Sequence, residues 1–200
     1  MHCRLCKGGK NLHDFEHRLA GIILAPYISK ATALIGVRRK AGSNMFRHQI
    51  NTLAILMDYK FIDPILLKAS VIHDLFEDGK GFPGVTEHDI VAIDHDGRAV
   101  YDLVMEITIR EIDGVREPKS VYLTRIMCSG SEKAKLLKLA DRISNLVSLG
   151  FVHNQAFVKR YLEETRHYIL PYAHSINTNM YQELCDLIED REKRLQEQTT

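Results

Sequence analysis

The sequence predicts an all-α domain of roughly eight to ten helices. Three observations predict it. Apolar residues recur at spacings of three and four along almost the whole chain, as they do on a helix with one buried face. Alternating apolar and polar runs of the strand type are scarce. Cap and stop residues stand where the periodic stretches begin and end.

In chain order, "FEHRLAGIILAPYI" (15–28), "INTLAILMDY" (50–59) and "PILLKASVIHDLF" (64–76) suit helices. So do "RAVYDLVMEIT" (98–108), "EKAKLLKLADRISNLVSL" (132–149), "FVKRYLEETRHYIL" (157–170) and "NMYQELCDLIEDREKRL" (179–195). Asp63 before Pro64 and Ser131 before Glu132 read as N-caps, whose side-chain oxygens accept otherwise unpaired amides. Gly79 and Gly150 stand just past two helix ends. Loops are expected at 79–86, 110–118, 128–131 and around Pro171.

The chain has 200 residues, enough for one domain with a sizeable core, and reads as a single unit over 1–200 with C-terminal helices across 154–197. Its 45% hydrophobic and 26% charged residues exclude a disordered or fibrous chain. With 27 Lys and Arg against 26 Asp and Glu, the net charge of +1 lacks the field of a protein that binds nucleic-acid polymers. A small nucleotide is the more fitting partner; an oligomer has no signature here. No apolar run reaches the roughly 18–20 residues that cross a bilayer, and the first residues lack the apolar core of a secretory signal, so a cytoplasmic protein is expected. Cys128 and Cys185 read as small apolar residues, while Cys3 and Cys6 have the spacing of half a zinc site with no second half following.

One stretch breaks the apolar pattern. "VIHDLFEDG" (71–79) sets His73, Asp74, Glu77 and Asp78 among core-type residues. On a helix His73 would stack over Glu77 and Asp74 over Asp78, forming one polar corner. A half-buried corner of such charge is costly unless a cation sits in it, and His with carboxylates suits manganese, iron, magnesium or zinc. His48 opens another apolar helix, and Asp141 lies in the middle of a third. Asp141, Asn145 and Ser148 follow at i, i+4 and i+7, with Lys138 a turn before, so one polar stripe runs along that helix.

The order His48, His73-Asp74, Asp141 resembles the signature of the HD-domain superfamily of metal-dependent phosphohydrolases. Within it, "HDLFED" is similar to the HDxxED motif of the RelA/SpoT-type hydrolases of (p)ppGpp, and "LLKLADRISNL" to their KLADRLxNL motif. "RRKAGSNMFRHQINTLAIL" resembles their segment before and after the first histidine, with Gln49 in place of a proline and Met45-Phe46 in place of Tyr-Ile. The resemblance covers about residues 30–150; Gly79 departs from the usual threonine, and residues 110–130 have no counterpart. It implies a single HD-domain helical bundle that hydrolyses the 3′-pyrophosphate of (p)ppGpp to GDP or GTP and pyrophosphate.

Carried over by position, the resemblance makes His48, His73, Asp74 and Asp141 the ligands of one Mn2+, or another divalent ion. Glu77 and Asp78 become the pair that orients and deprotonates water. Arg39 and Lys40 would flank the guanine, and Asn145 and Ser148 would contact the ribose. Two other readings share the residues: a nucleotidase or phosphatase acting on another nucleotide, NADPH included, and a non-catalytic alarmone sensor.

Overall fold

The computed structural model describes residues 9–76, 82 and 84–197. Among them are eleven α-helices. These are α1 (Gly9–Ala20), α2 (Ala25–Ala31), α3 (Met45–Asp58), α4 (Pro64–Ser70), α5 (Glu87–Val91), α6 (Gly97–Glu106), α7 (Lys119–Thr124), α8 (Glu132–Leu149), α9 (Gln155–Tyr168), α10 (Leu170–Ile176) and α11 (Thr178–Glu197). Thr32–Leu34 form a 3-10 turn and Arg125–Ser129 a π turn. The expected all-α class holds. No helix among the described residues is long and apolar enough to cross a membrane.

The helix count exceeds the expectation because two prolines divide periodic stretches and two short helices, α5 and α7, lie outside every predicted stretch. Pro26 lies in the first turn of α2 and Pro171 in the first turn of α10, where a missing N–H costs nothing and a fixed φ helps. The apolar pattern of 15–28 therefore runs through a break at residues 21–24, and that of 157–170 stops at Tyr168. The 110–118 loop contains a two-stranded ribbon, β1 (Glu111–Ile112) paired with β2 (Val115–Arg116). Asp113 and Gly114 join the strands with φ of 51° and 76°, the pair of positive angles that a tight hairpin turn takes.

Helix α8 lies at the centre, packed against α3, α4, α6, α10 and α11. It is buried on almost every face, and its buried set includes Lys138, Asp141, Arg142, Ser144, Asn145 and Ser148 as well as Leu137, Leu139, Ile143 and Leu146. Each fully buried leucine or isoleucine contributes roughly 1.5–3 kcal/mol, which offsets the cost of ordering so many polar groups in one helix. At its start Ser131 accepts from the Ala134 amide and donates its hydroxyl to Glu106 at the end of α6. At its end the Arg191 guanidinium from α11 donates to the carbonyls of Leu146 (3.0 Å) and Val147 (3.1 Å). Gly150, just past the helix end as expected, has φ −59°; a Cβ there would lie 3.0 Å from Arg191 Cζ, so glycine makes room for the guanidinium.

Helix α3 starts at Asn44, whose side chain accepts from the Arg47 amide, and this cap sets where His48 falls. Upstream, Gly42 has φ +85° and its missing Cβ would sit 2.8 Å from the Ser148 carbonyl oxygen. The loop of residues 35–44 therefore lies directly on α8. On the far side of the core, buried Lys68 donates to Asp94 and Asp96, each at 2.7 Å, and the Tyr27 hydroxyl donates to Asp94 at 2.8 Å, which ties α4 and α2 to the segment before α6.

Candidate metal centre

Helices α3 and α8 and the turns after α4 meet at one point. His48 Nε2 lies 3.0 Å from Asp141 Oδ1 and 3.2 Å from His73 Nε2, and His73 Nε2 is 3.8 Å from Asp141 Oδ1. One ligand atom from each of His48, His73 and Asp141 lies within 4.8 Å of the other two, and all three residues are buried. Asp74, half-buried, stands beside them, with Oδ2 3.6 Å from His48 Nε2 and Oδ1 3.6 Å from His73 Nε2.

Helix α4 was expected to run to residue 76, but it stops at Ser70, and 71–76 continue as turns. In a continuing helix the Ser70 carbonyl would accept the Asp74 amide. Instead it faces His73 Nδ1 at 2.7 Å, and the Asp74 amide points to Gln49 Oε1 at 3.4 Å. Residues 71–76 are thus turns rather than helix, and Glu77 and Asp78, expected one helical turn beyond His73 and Asp74, lie outside the described residues. Cys3 and Cys6 lie outside them too.

The donor set fits a divalent ion. A carbonyl only accepts, so His73 Nδ1 carries the proton and, in the neutral ring, Nε2 turns a lone pair toward His48 and the carboxylates. His48 Nδ1 is paired with the Ser144 hydroxyl at 2.8 Å, leaving its Nε2 on the same point. Two imidazole nitrogens 3.2 Å apart can share at most one proton between them; a cation satisfies both lone pairs and two carboxylates at once. Burial pulls the His48 pKa below the ordinary histidine value despite the pull of Asp141 and Asp74 in the other direction. Burial also opposes charging of His73, but the Asp74 and Asp141 carboxylates outweigh it and raise that pKa. Both carboxyls are held down against their own burial, Asp74 by the two histidines and Asp141 first by Lys138 and then by the histidines.

Lys138, one turn before Asp141 on the polar stripe, belongs to this arrangement. Its ammonium donates to Asp141 Oδ2 at 2.8 Å and to the Tyr122 hydroxyl at 2.7 Å, and the Tyr122 hydroxyl in turn donates to the Ile107 carbonyl. Burial works against the Lys138 charge, but the Asp141 carboxylate overrides it and raises its pKa. Asn145 donates to Asp141 Oδ1 at 2.6 Å and accepts from Arg39. Tyr122 and Ser144 had no signal in the sequence beyond their positions on helical faces.

His73, Asp74 and Asp141 form part of the wall of a cavity of about 560 Å³, a volume ordinary for a small-molecule site, and His48 touches them from outside that wall. Arg38, Arg39 and Lys40 enter it from the loop before α3, Arg116 and Lys119 from the ribbon and α7, and Lys138 and Arg142 from α8. Arg160, Tyr161 and Glu164 close it from α9. Arg142 is 2% exposed, and its guanidinium stacks 4.3 Å from the centre of the Tyr161 ring. Among the described residues, Arg142 Nε and Arg39 Nη1 are buried side-chain nitrogens with no hydrogen-bond acceptor. Of the expected substrate contacts, Arg39, Lys40 and Asn145 line the cavity, whereas the Ser148 hydroxyl donates to the Ser144 carbonyl and Ser148 is not in the described cavity wall. A second group of possible metal ligands, Asp94, His95 and Asp96, already has the Lys68 ammonium between its two carboxylates.

No family model matches the chain. A curated protein of Mycoplasma pneumoniae named "Probable guanosine-3′,5′-bis(diphosphate) 3′-pyrophosphohydrolase" is 30% identical over 126 residues, which are 58% of this chain and 16% of that protein. The match thus spans a small part of its relative's length. Among solved structures, a metazoan ortholog of SpoT, described as hydrolysing ppGpp and playing a role in starvation responses, shares the fold with a TM-score of 0.70 at 22% identity. That likeness covers 84% of this chain and 94% of the other.

Proposed function

We propose that the protein is a Mn2+-dependent hydrolase that removes the 3′-pyrophosphate of guanosine penta- or tetraphosphate, giving GTP or GDP and pyrophosphate. The observation that carries the reading is the cluster of His48, His73, Asp74 and Asp141, of which His73, Asp74 and Asp141 line a cavity whose other charged groups are mostly basic. The motif resemblance, the curated relative and the shared fold all support it.

A divalent ion held by these four residues would supply Lewis acidity, drawing charge from a phosphoryl oxygen and lowering the pKa of water. The chain's own groups do the rest. Lys138 neutralises one oxygen of Asp141, so the other faces His48 with its charge only partly compensated. Arg142 and Arg39 each bring a buried N–H that needs an acceptor, and phosphate oxygens supply one. A guanidinium presents its N–H groups in a planar fork that matches phosphate oxygens, which suits a ligand carrying several phosphates. Lys40 adds charge near the loop on which Arg39 stands, and the Tyr161 ring offers a flat apolar face. Glu77 and Asp78, which follow Phe76 in the sequence, take the role of accepting the water proton as the 3′-O–P bond breaks. Asn145, already bonded to Asp141 and Arg39, would orient the ribose only by sharing those bonds.

Incubation of the purified protein with ppGpp and Mn2+, with and without a chelator, tests the reading when pyrophosphate and orthophosphate are followed separately. Chelator-sensitive pyrophosphate with GDP is expected, with Mg2+ and Zn2+ run alongside to identify the ion. Orthophosphate release, or no turnover of ppGpp in any of the three ions, overturns it.

A further inference from the structure

Gln49 is fully buried, at 0% exposure, on the turn of α3 next to His48. A buried primary amide must find partners for its N–H groups and its oxygen, since leaving them unpaired costs about 1–3 kcal/mol. Both partners belong to one residue: Gln49 Nε2 donates to Asp74 Oδ2 at 2.9 Å, and Gln49 Oε1 faces the Asp74 amide at 3.4 Å.

The amide grips Asp74 at a place where the backbone does not. Helix α4 has ended at Ser70, the Ser70 carbonyl is taken by the His73 ring, and the Asp74 amide would have no helical acceptor. Asp74 is also the most exposed of the four cluster residues, with its side chain 23% accessible, so packing alone restrains it least. The Gln49 contact turns the carboxylate so that its oxygens lie 3.6 Å from both imidazole Nε2 atoms. A proline, which the resembling family has at this position, could make neither contact from its side chain.

We propose that Gln49 is a positioning residue for Asp74 and through it sets the affinity of the centre for its divalent ion. The proposal rests on the reading of His48, His73, Asp74 and Asp141 as a metal centre. Partners that orient metal ligands are worth roughly 10–100-fold in affinity, which fixes the size of the effect. Methionine and leucine are close to glutamine in size but have no N–H to donate, and water can replace the lost donor on half-exposed Asp74, so either change spares the fold.

The test is a titration of metal-free wild type, Gln49→Met and Gln49→Leu with Mn2+, read by the loss of the free-ion electron paramagnetic resonance signal. Thermal melting in chelator runs alongside. Wild type is expected to bind one ion, with the variants' Kd raised 10–100-fold and their chelator melting temperatures close to wild type. A rise below tenfold in a folded variant, while wild type binds, overturns the role of Gln49 and leaves the metal centre standing. No binding by wild type overturns the metal reading itself.

Discussion

Replacing Lys138 by methionine should destabilise the metal-free protein far more than the metal-loaded one. Lys138 is 5% exposed and Asp141 7%, and their charged ends are 2.8 Å apart, so the change strands a carboxylate in the interior. Removing one partner of a buried ion pair costs roughly 3–5 kcal/mol because the remaining charge loses its counterion. For a domain of this size each kcal/mol moves the melting temperature by about 2–4 °C, which gives a fall of roughly 6–20 °C in chelator. Some of the loss is returned by the methionine side chain, which keeps most of the buried apolar stem. In saturating Mn2+ the ion supplies the missing positive charge beside Asp141, and the gap between variant and wild type should narrow by several degrees. Differential scanning calorimetry at pH 8, with chelator and with Mn2+, reads both arms. A chelator melting temperature within about 2 °C of wild type would refute the view that Lys138 compensates Asp141. An equal deficit in both conditions would refute the view that an ion sits beside Asp141.

Gly42→Ala should lose roughly 1–3 kcal/mol from its φ of +85° alone, and more from the 2.8 Å approach of the new methyl to the Ser148 carbonyl; urea denaturation showing no loss would contradict that placement of the loop. Glu117 accepts from Arg125 at 2.9 and 2.8 Å, and this pairing, against the opposing effect of burial, holds its carboxyl below the ordinary value of 4.5. A depressed folded pKa means stability present above the unfolded value and lost as pH falls through the folded one. Glu117→Gln should thus melt lower than wild type by the equivalent of about 1.5–3 kcal/mol at neutral pH, with the gap closing as pH drops below 4.5. A gap that stays constant down to acid pH would contradict the pairing.

The central helix was fully legible, from Ser131 to Leu149, because a cap, a strict period and a long run all agreed there. The two proline breaks were not, since Pro26 and Pro171 sit inside patterns whose apolar spacing continues across them. The four cluster residues could be named from their types and order, but the turn that carries His73 and Asp74 could not. It depends on two bonds that spacing does not encode, His73 to its own backbone at Ser70 and Asp74 to Gln49. The basic wall of the cavity was the least visible, because Arg38, Arg116, Lys119, Arg142 and Arg160 are scattered along the chain and each alone resembles an ordinary surface charge. Arg142 illustrates the difficulty. It follows Asp141 directly, yet only the tertiary fold shows it buried against Tyr161.

Helix α8 is tethered at both ends by side chains from parts of the chain outside the motif-bearing runs. Glu106 holds Ser131 at its beginning, and Arg191, within the last helix, occupies the carbonyls at its end. Asp141 stands between these two anchors, so its alignment with His48 and His73 depends on both. The smallest inheritable unit of this site is therefore larger than the segment that bears its motifs: it extends past residue 150 to Arg191, and a graft of residues 30–150 would carry the four cluster residues but only one of the two anchors that aim Asp141.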